Sequence, residues 1–225
     1  MAKKYRIPLE GRWDLYDLYQ FPHTYTQIYS VLYVLEEQLS KPRLLRRKNV
    51  FSSYPWGGGY SAVNWFNGLY FTVPPEDRPQ VLEIRYHSPG WLDLGVCLAV
   101  ALGLKKMLIA FSTAARHLNA TYSQIQKGIH ARKLNKVKLK RQEIALETER
   151  VKFVRKSCEE MARLMGFKNL GQIHELTGNP LVTLKMLCAI YRRLRILNEF
   201  QEAGKAKIIE SIPVDEKDSP PESEK

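Results

Sequence analysis

The chain has 225 residues, a formal net charge of +12 from 35 Lys and Arg against 23 Asp and Glu, and an apolar share of 44%. That length holds one full domain with a helical extension, or two small domains, and the apolar share builds an ordinary core without disulfide staples. The positive balance points to a polyanionic partner (nucleic acid, an anionic membrane face or an acidic protein surface) or to an inert basic surface. Cys97, Cys158 and Cys188 are odd in number and far apart, which excludes a disulfide framework or a zinc knuckle and fits a reducing cytoplasm. The opening MAKKYRIPLEG carries charge but no apolar run, so it does not read as a secretory signal.

Tyr5, Ile7 and Leu9 alternate with Lys4, Arg6 and Pro8, which predicts a short strand with one apolar face. Pro8 has no N–H to give, so an edge position is expected. Asp14 can cap a short helical turn. Pro22 suits the first position of the next helix, on which Tyr25, Ile28, Tyr29, Leu32, Leu35 and Leu39 keep helical spacing. Tyr25, Tyr29 and Tyr33 form a ridge that reads as a stacking platform or, more simply, as a core face with hydroxyls at its rim. The loop KPRLLRRK follows, and its Arg43, Arg46, Arg47 and Lys48 are candidate phosphate contacts or a solvated connection.

The stretch YPWGGGYSAVNWFNGLYF has the most unusual local composition. Trp56, Gly57, Gly58, Gly59, Tyr60 and Ser61 make a candidate ligand loop, because a glycine loop entering a helix can hold a phosphate on its backbone N–H groups. The spacing matches neither the Walker form nor GxGxxG. Ser61 is placed to cap a helix carrying Val63, Phe66, Leu69 and Tyr70. Past the turn-rich PPEDRP, Leu82, Ile84 and Tyr86 alternate with Glu83, Arg85 and His87, the clearest strand of the chain. SPG makes a sharp turn into Leu92, Leu94 and Val96. An antiparallel hairpin is suggested, although Pro-Gly favours a type II turn that splays tight hairpins. The segments VLEIRYHSPGWLDL and WGGGYSAVNWFN resemble uncharacterised bacterial proteins that join a small α+β head to a charged helix. The resemblance covers about the first half of the chain and implies no activity.

Gly95 opens and Phe111 closes an apolar segment interrupted by Lys105 and Lys106. A spanning helix needs about 20 apolar residues, so a buried core helix is expected, with membrane insertion as the rival. The weaker helix formers of 117–123 suggest a bend. Residues 121–165 then predict one charged rod of roughly 65 Å, capped by Gly166. Val137, Ile144, Val151, Cys158 and Met165 recur every seven residues, and Val154 and Met161 complete the pattern, which predicts self-association through this seam. Lys127, Arg132, Lys133, Lys136, Lys138, Lys140 and Arg141 form a block without one acid and need counter-ions or an anionic partner. Farther along, Arg155 and Lys156 alternate with Glu159 and Glu160, which reads as a solvated or inter-helix face.

Residues 169–201 predict a short helix ending at Gly178, then a helix capped by Asn179 and begun by Pro180. That is also the outline of a helix-turn-helix, but Leu181, Val182 and Leu184 are poor base readers. Beyond about 209 the chain is rich in Pro, Ser and acids and reads as a disordered acidic tail. His87 and Asp93 can meet across the turn, a pairing that is more often structural than catalytic. No catalytic or metal-binding motif, and no cofactor, is indicated. The expected architecture is α+β: a small N-terminal sheet with helices (1–95), a core helix and the long charged helix (96–166), a helical hairpin (167–208) and the tail (209–225). The expected function is that of a non-enzymatic, homo-oligomeric cytoplasmic scaffold whose basic helix meets an anionic partner. The alternatives are a nucleic-acid-binding protein, a nucleotide sensor or enzyme using Gly57–Gly59, and a membrane-associated protein using the apolar segment from Gly95.

Overall fold

Alternation in the first residues gives β1 (Lys3–Leu9) a buried face of Tyr5, Ile7 and Leu9 and an outer face carrying Lys4 and Arg6. The computed structural model describes residues 3–35, 50–51, 61–86, 89–131, 148–167 and 170–214. In it β1 has an antiparallel neighbour on each side. β3 (Gly90–Val96) runs along its whole length, with Tyr5 opposite Leu94 and Ile7 opposite Leu92. The two-residue β4 (Ile212–Pro213) pairs with Arg6 and Tyr5. β2 (Gln80–Arg85) lies beyond β3 and completes the order β2-β3-β1-β4.

The edge position expected from Pro8 is therefore corrected: β1 is internal. The Pro8 carbonyl accepts from the Lys207 N–H at 3.0 Å, so this residue's polar side, including its absent donor, faces the C-terminal segment. There β4 has already ended, and no ladder bond is lost. The β2–β3 hairpin forms despite the Pro-Gly turn, with a bulge at Leu82 that breaks the simple alternation read from the sequence.

α1 (Leu15–Leu35) starts earlier than its proline suggests. Asp14 Oδ1 accepts from the Asp17 N–H at 2.8 Å, and Asp17 Oδ2 accepts from the Asp14 N–H at 3.1 Å. This reciprocal cap starts the helix a full turn and more before Pro22, which lies inside it. The tyrosine ridge is a core face. The Tyr29 hydroxyl donates to the Asp77 carbonyl and accepts from the Cys97 N–H, and Tyr33 donates to the Asp77 carboxylate. α2 (Ser61–Thr72) begins where the sequence placed it.

The four remaining helices are α3 (Leu98–Ala131), α4 (Thr148–Leu164), α5 (Leu170–Thr177) and α6 (Pro180–Glu202). α3 is unbroken through 117–123, so the expected bend is absent. Among the described residues it is the one helix long and apolar enough to cross a membrane. Its Val100, Leu104, Leu108 and Phe111 lie in the core, and the Lys105 ammonium donates to the Ser211 carbonyl at 2.8 Å. α6 starts at the expected cap, with Asn179 Oδ1 accepting from the Leu181 and Val182 N–H groups. The described residues share one hydrophobic core spanning sheet and helices. The disorder expected from 209 is corrected for its first residues: a 3-10 turn covers Ile208–Glu210 and β4 follows, and residues 215–225 lie outside the described part.

Asp93 anchors the outer face of the sheet. Its carboxylate is fully buried, takes both arms of the Arg6 guanidinium at 2.7 Å and lies 2.9 Å from Lys4 Nζ. Burial pushes this carboxyl up, but the bonds and charges of Arg6 and Lys4 outweigh it and hold it below the usual carboxylate range. A carboxylate depressed in the folded state contributes stability above its unfolded pKa and loses it as pH falls. Asp93→Asn should cost about 2–3 kcal/mol at neutral pH, because two cations lose their partner. Urea unfolding followed by tryptophan fluorescence should show that gap narrowing toward acid pH.

Candidate anion-binding face

Two contacts fix how α4 sits. Glu160 Oε1 accepts from Thr121 Oγ1 at 3.2 Å and lies 3.3 Å from His117 Nε2, both on α3. At the other end of the pair, the Phe153 ring lies against Gly128. Residue numbers rise along α3 as they fall along α4, so the helices are antiparallel. The single rod expected over 121–165 is corrected: its first part is the end of α3, and its last part folds back beside it. A rod would hold residues 121 and 160 far apart, whereas here they share a hydrogen bond.

The inner face of α4 is apolar and sealed. Val154, Cys158, Met161 and Met165 of the expected self-association seam are fully buried inside the chain's own core. Cys158 Sγ donates to the Pro180 carbonyl at the start of α6. Val151 is half-buried, and Val137 and Ile144 lie outside the described residues. The seven-residue period is real, but the partner that satisfies it here is α6 and not a second copy. α4 ends as its sequence demands: Gly166 takes φ +78°, Phe167 N–H bonds to the Ala162 carbonyl and Gly166 N–H to that of Arg163.

The outer face of α4 carries Lys152, Arg155, Lys156, Glu159 and Arg163, all exposed. These positions are three or four apart and fall on one stripe. The sequence suggests balanced charge here, because two glutamates follow two cations. The fold removes one of them: Glu160 turns to α3, and Lys156 keeps no carboxylate. Among the described residues, none of the four cations of this stripe is in an ion pair. Neighbouring like charges repel by a few tenths of a kcal/mol each, a cost that an anionic ligand reverses.

Most of the site residues read from the sequence lie elsewhere. Arg43, Arg46, Arg47 and Lys48, and Arg132, Lys133, Lys136, Lys138, Lys140 and Arg141, fall outside the described residues, as do Trp56, Gly57, Gly58, Gly59 and Tyr60. Ser61 is the first residue of α2. Of the late arginines, Arg192 donates to the Tyr122 hydroxyl and Arg193 to Gln27 Oε1, whereas Arg195 stays exposed, 3.4 Å from the exposed Glu199. Leu181, Val182 and Leu184 at the start of α6 are buried, so this helix does not present its first turn as a base reader. Asp93 is taken by Arg6 and Lys4, and His87 is outside the described residues.

A cleft of about 470 Å³ opens between α1 and α2, lined on one side by His23, Thr26 and Gln27 and on the other by Phe66, Tyr70 and Phe71. Its size suits a small molecule. Burial, with the Arg193 charge nearby, holds His23 below its ordinary range, and the Gln27 amide lies 3.0 Å from its Nε2. Among the described residues that line this cleft there is no lysine or arginine. Among the described residues no cluster of metal-ligating side chains occurs. No protein-family model, curated protein or solved structure matches the chain.

The antiparallel packing of α3 on α4 has a direct test at Gly128. A β-carbon there would run into the Phe153 ring. Gly128→Ala would favour an isolated helix by about 1 kcal/mol. In the folded protein it should instead destabilise by about 1–2 kcal/mol, because the ring must move out of packed surroundings. Phe153→Leu should relieve much of that loss in the double variant, read as the unfolding midpoint in denaturant.

Proposed function

We propose that the protein is a non-enzymatic interaction protein that meets an anionic macromolecule with the outer face of α4. The observation that supports this is the stripe of Lys152, Arg155, Lys156 and Arg163, four exposed cations beside Glu159 that have no ion-pair partner among the described residues. The stripe sits on a helix whose opposite face is locked into the core, so the cations are held on a rigid support. The exposed Lys127 of α3 extends positive charge toward the end of the pair marked by Gly128 and Phe153. The whole chain's charge of +12 strengthens the long-range attraction. Nucleic acid is the partner whose regular phosphate spacing best repays such a row. The free thiols of Cys97, Cys158 and Cys188 support a reducing, cytoplasmic setting.

Fluorescence anisotropy with duplex DNA, duplex RNA and heparin tests the reading. Binding to at least one should weaken steeply with salt. Reversing Lys152, Arg155, Lys156 and Arg163 to Glu together should lower affinity by tenfold or more and flatten the salt dependence, since each lost phosphate contact removes about 0.9 from the slope on duplex DNA. These side chains are exposed, so circular dichroism and thermal unfolding should be unchanged. Silence of the wild-type protein toward all three polyanions at low salt would reject the proposal.

A further inference from the structure

β2 is the least covered element of the sheet. All six of its residues are exposed, with Val81, Leu82 and Ile84 at 61, 54 and 51% and Tyr86 just past its end at 54%. It is the last strand in the order, so β3 takes one edge and, among the described residues, nothing pairs with the other. Soluble proteins blunt such edges with repeated lysines, with proline in the strand or with a covering element. β2 carries two charges and the bulge at Leu82 but no lysine and no proline, and no described element covers its free edge.

The charges on β2 are arranged for one kind of partner. Glu83 is opposite Asp93 and Arg85 opposite Trp91, which puts both side chains on the outer face, with Ile84 on the inner one. They are held along that face: the Arg85 guanidinium stacks 4.5 Å over Trp91, whose ring also receives Arg6, and Glu83 lies 3.8 Å from Lys4. Consider a second β2 running antiparallel, with the two-fold axis at Ile84. Glu83 then faces Arg85 of the other copy, Arg85 faces Glu83, and the two Ile84 side chains meet on the opposite face. An axis at Glu83 or at Arg85 sets like charges against each other. An axis between Ile84 and either neighbour sets a charge against an isoleucine. Of these registers, the one at Ile84 alone pairs opposite charges on the outer face and isoleucines on the inner one, and its self-complementarity fits an identical strand.

We propose that two copies of this chain pair through β2, edge to edge and antiparallel about Ile84, joining their sheets into one that crosses the dimer. This surface is separate from α4, and dimerisation can fail without touching the anion-binding reading. It also differs from the seven-residue seam, of which Val154, Cys158, Met161 and Met165 are buried within the chain.

Sedimentation velocity on the full chain at micromolar concentration should give twice the 26.1 kDa of one copy. Glu83→Arg and Arg85→Glu should each weaken the dimer by tenfold or more, because each sets like charges across the axis. Glu83→Arg combined with Arg85→Glu should restore it, because the swapped pair is again self-complementary. Ile84→Cys in a Cys97→Ser background should give a disulfide-linked dimer under mild oxidation, since the axis brings that residue against its own copy. Thermal unfolding confirms that each variant keeps its fold, as expected for exposed positions. A monomer at every concentration overturns the proposal, and so does a double swap that stays as weak as the single ones.

Discussion

Everything in the helical body depends on covering α6. Fourteen of its residues are buried, among them Leu181, Leu184, Met186, Leu187, Ile190, Leu194 and Leu197, and they lie around most of its circumference. A helix apolar on nearly every side must be enclosed. Trp13, just before α1, and Phe21 of α1 meet it at Phe200, α3 meets it through Tyr122 stacked on Tyr191, and α5 through His174 and Thr177 on Thr183. α4 closes the remaining side with Cys158 at the Pro180 carbonyl. Each large side chain enclosed this way contributes about 1.5–3 kcal/mol from burial. That sum is what folds α4 back on α3 instead of letting the two run on as a rod.

The same demand explains what the sequence could and could not reveal. Signals carried by a few adjacent residues were legible: the alternation of β1, the Asn179-Pro180 start of α6, Ser61 at the start of α2, and the glycine cap after Leu164. Signals whose meaning depends on a distant partner were not. The period of Val154, Cys158, Met161 and Met165 states that one face needs covering, but it does not state by what. Pro22 reads as a helix start until the Asp14–Asp17 cap is seen to have begun the helix earlier. The polar run at 117–123 reads as a bend, yet His117 and Thr121 are there to meet Glu160, and Asn119 accepts from the Tyr191 hydroxyl. For the candidate face, the block at 132–141 drew attention by its lack of acids. Lys152, Arg155, Lys156 and Arg163 were hidden by the glutamates written between them.

Folding also sorts the positive charge into two populations. Lys4 and Arg6 are spent on Asp93, Lys205 on Asp17, and Lys207 on Glu10. Arg192 and Arg193 are directed at neutral oxygens inside the helical body. These cations hold elements together and are lost to any external partner. Among the described residues, four of the cations left to solvent stand on one stripe of α4, where Glu160 has been drawn away to α3. Net charge alone cannot distinguish the two populations, since both count equally in the total.

The two-residue β4 joins parts of the chain made at opposite times. Val214 N–H bonds to the Lys4 carbonyl, the Tyr5 hydroxyl lies 2.6 Å from Ser211 Oγ, and Lys105 holds the Ser211 carbonyl. β1 is made before every other described element, and its second neighbour after all of them. The sheet cannot close until residue 214 has been made, and its closure is a long-range event of the kind that slows folding. The same proximity of residues 4 and 214 means that a short linker joining these two positions would preserve the pairing, with the chain opened instead at another surface turn.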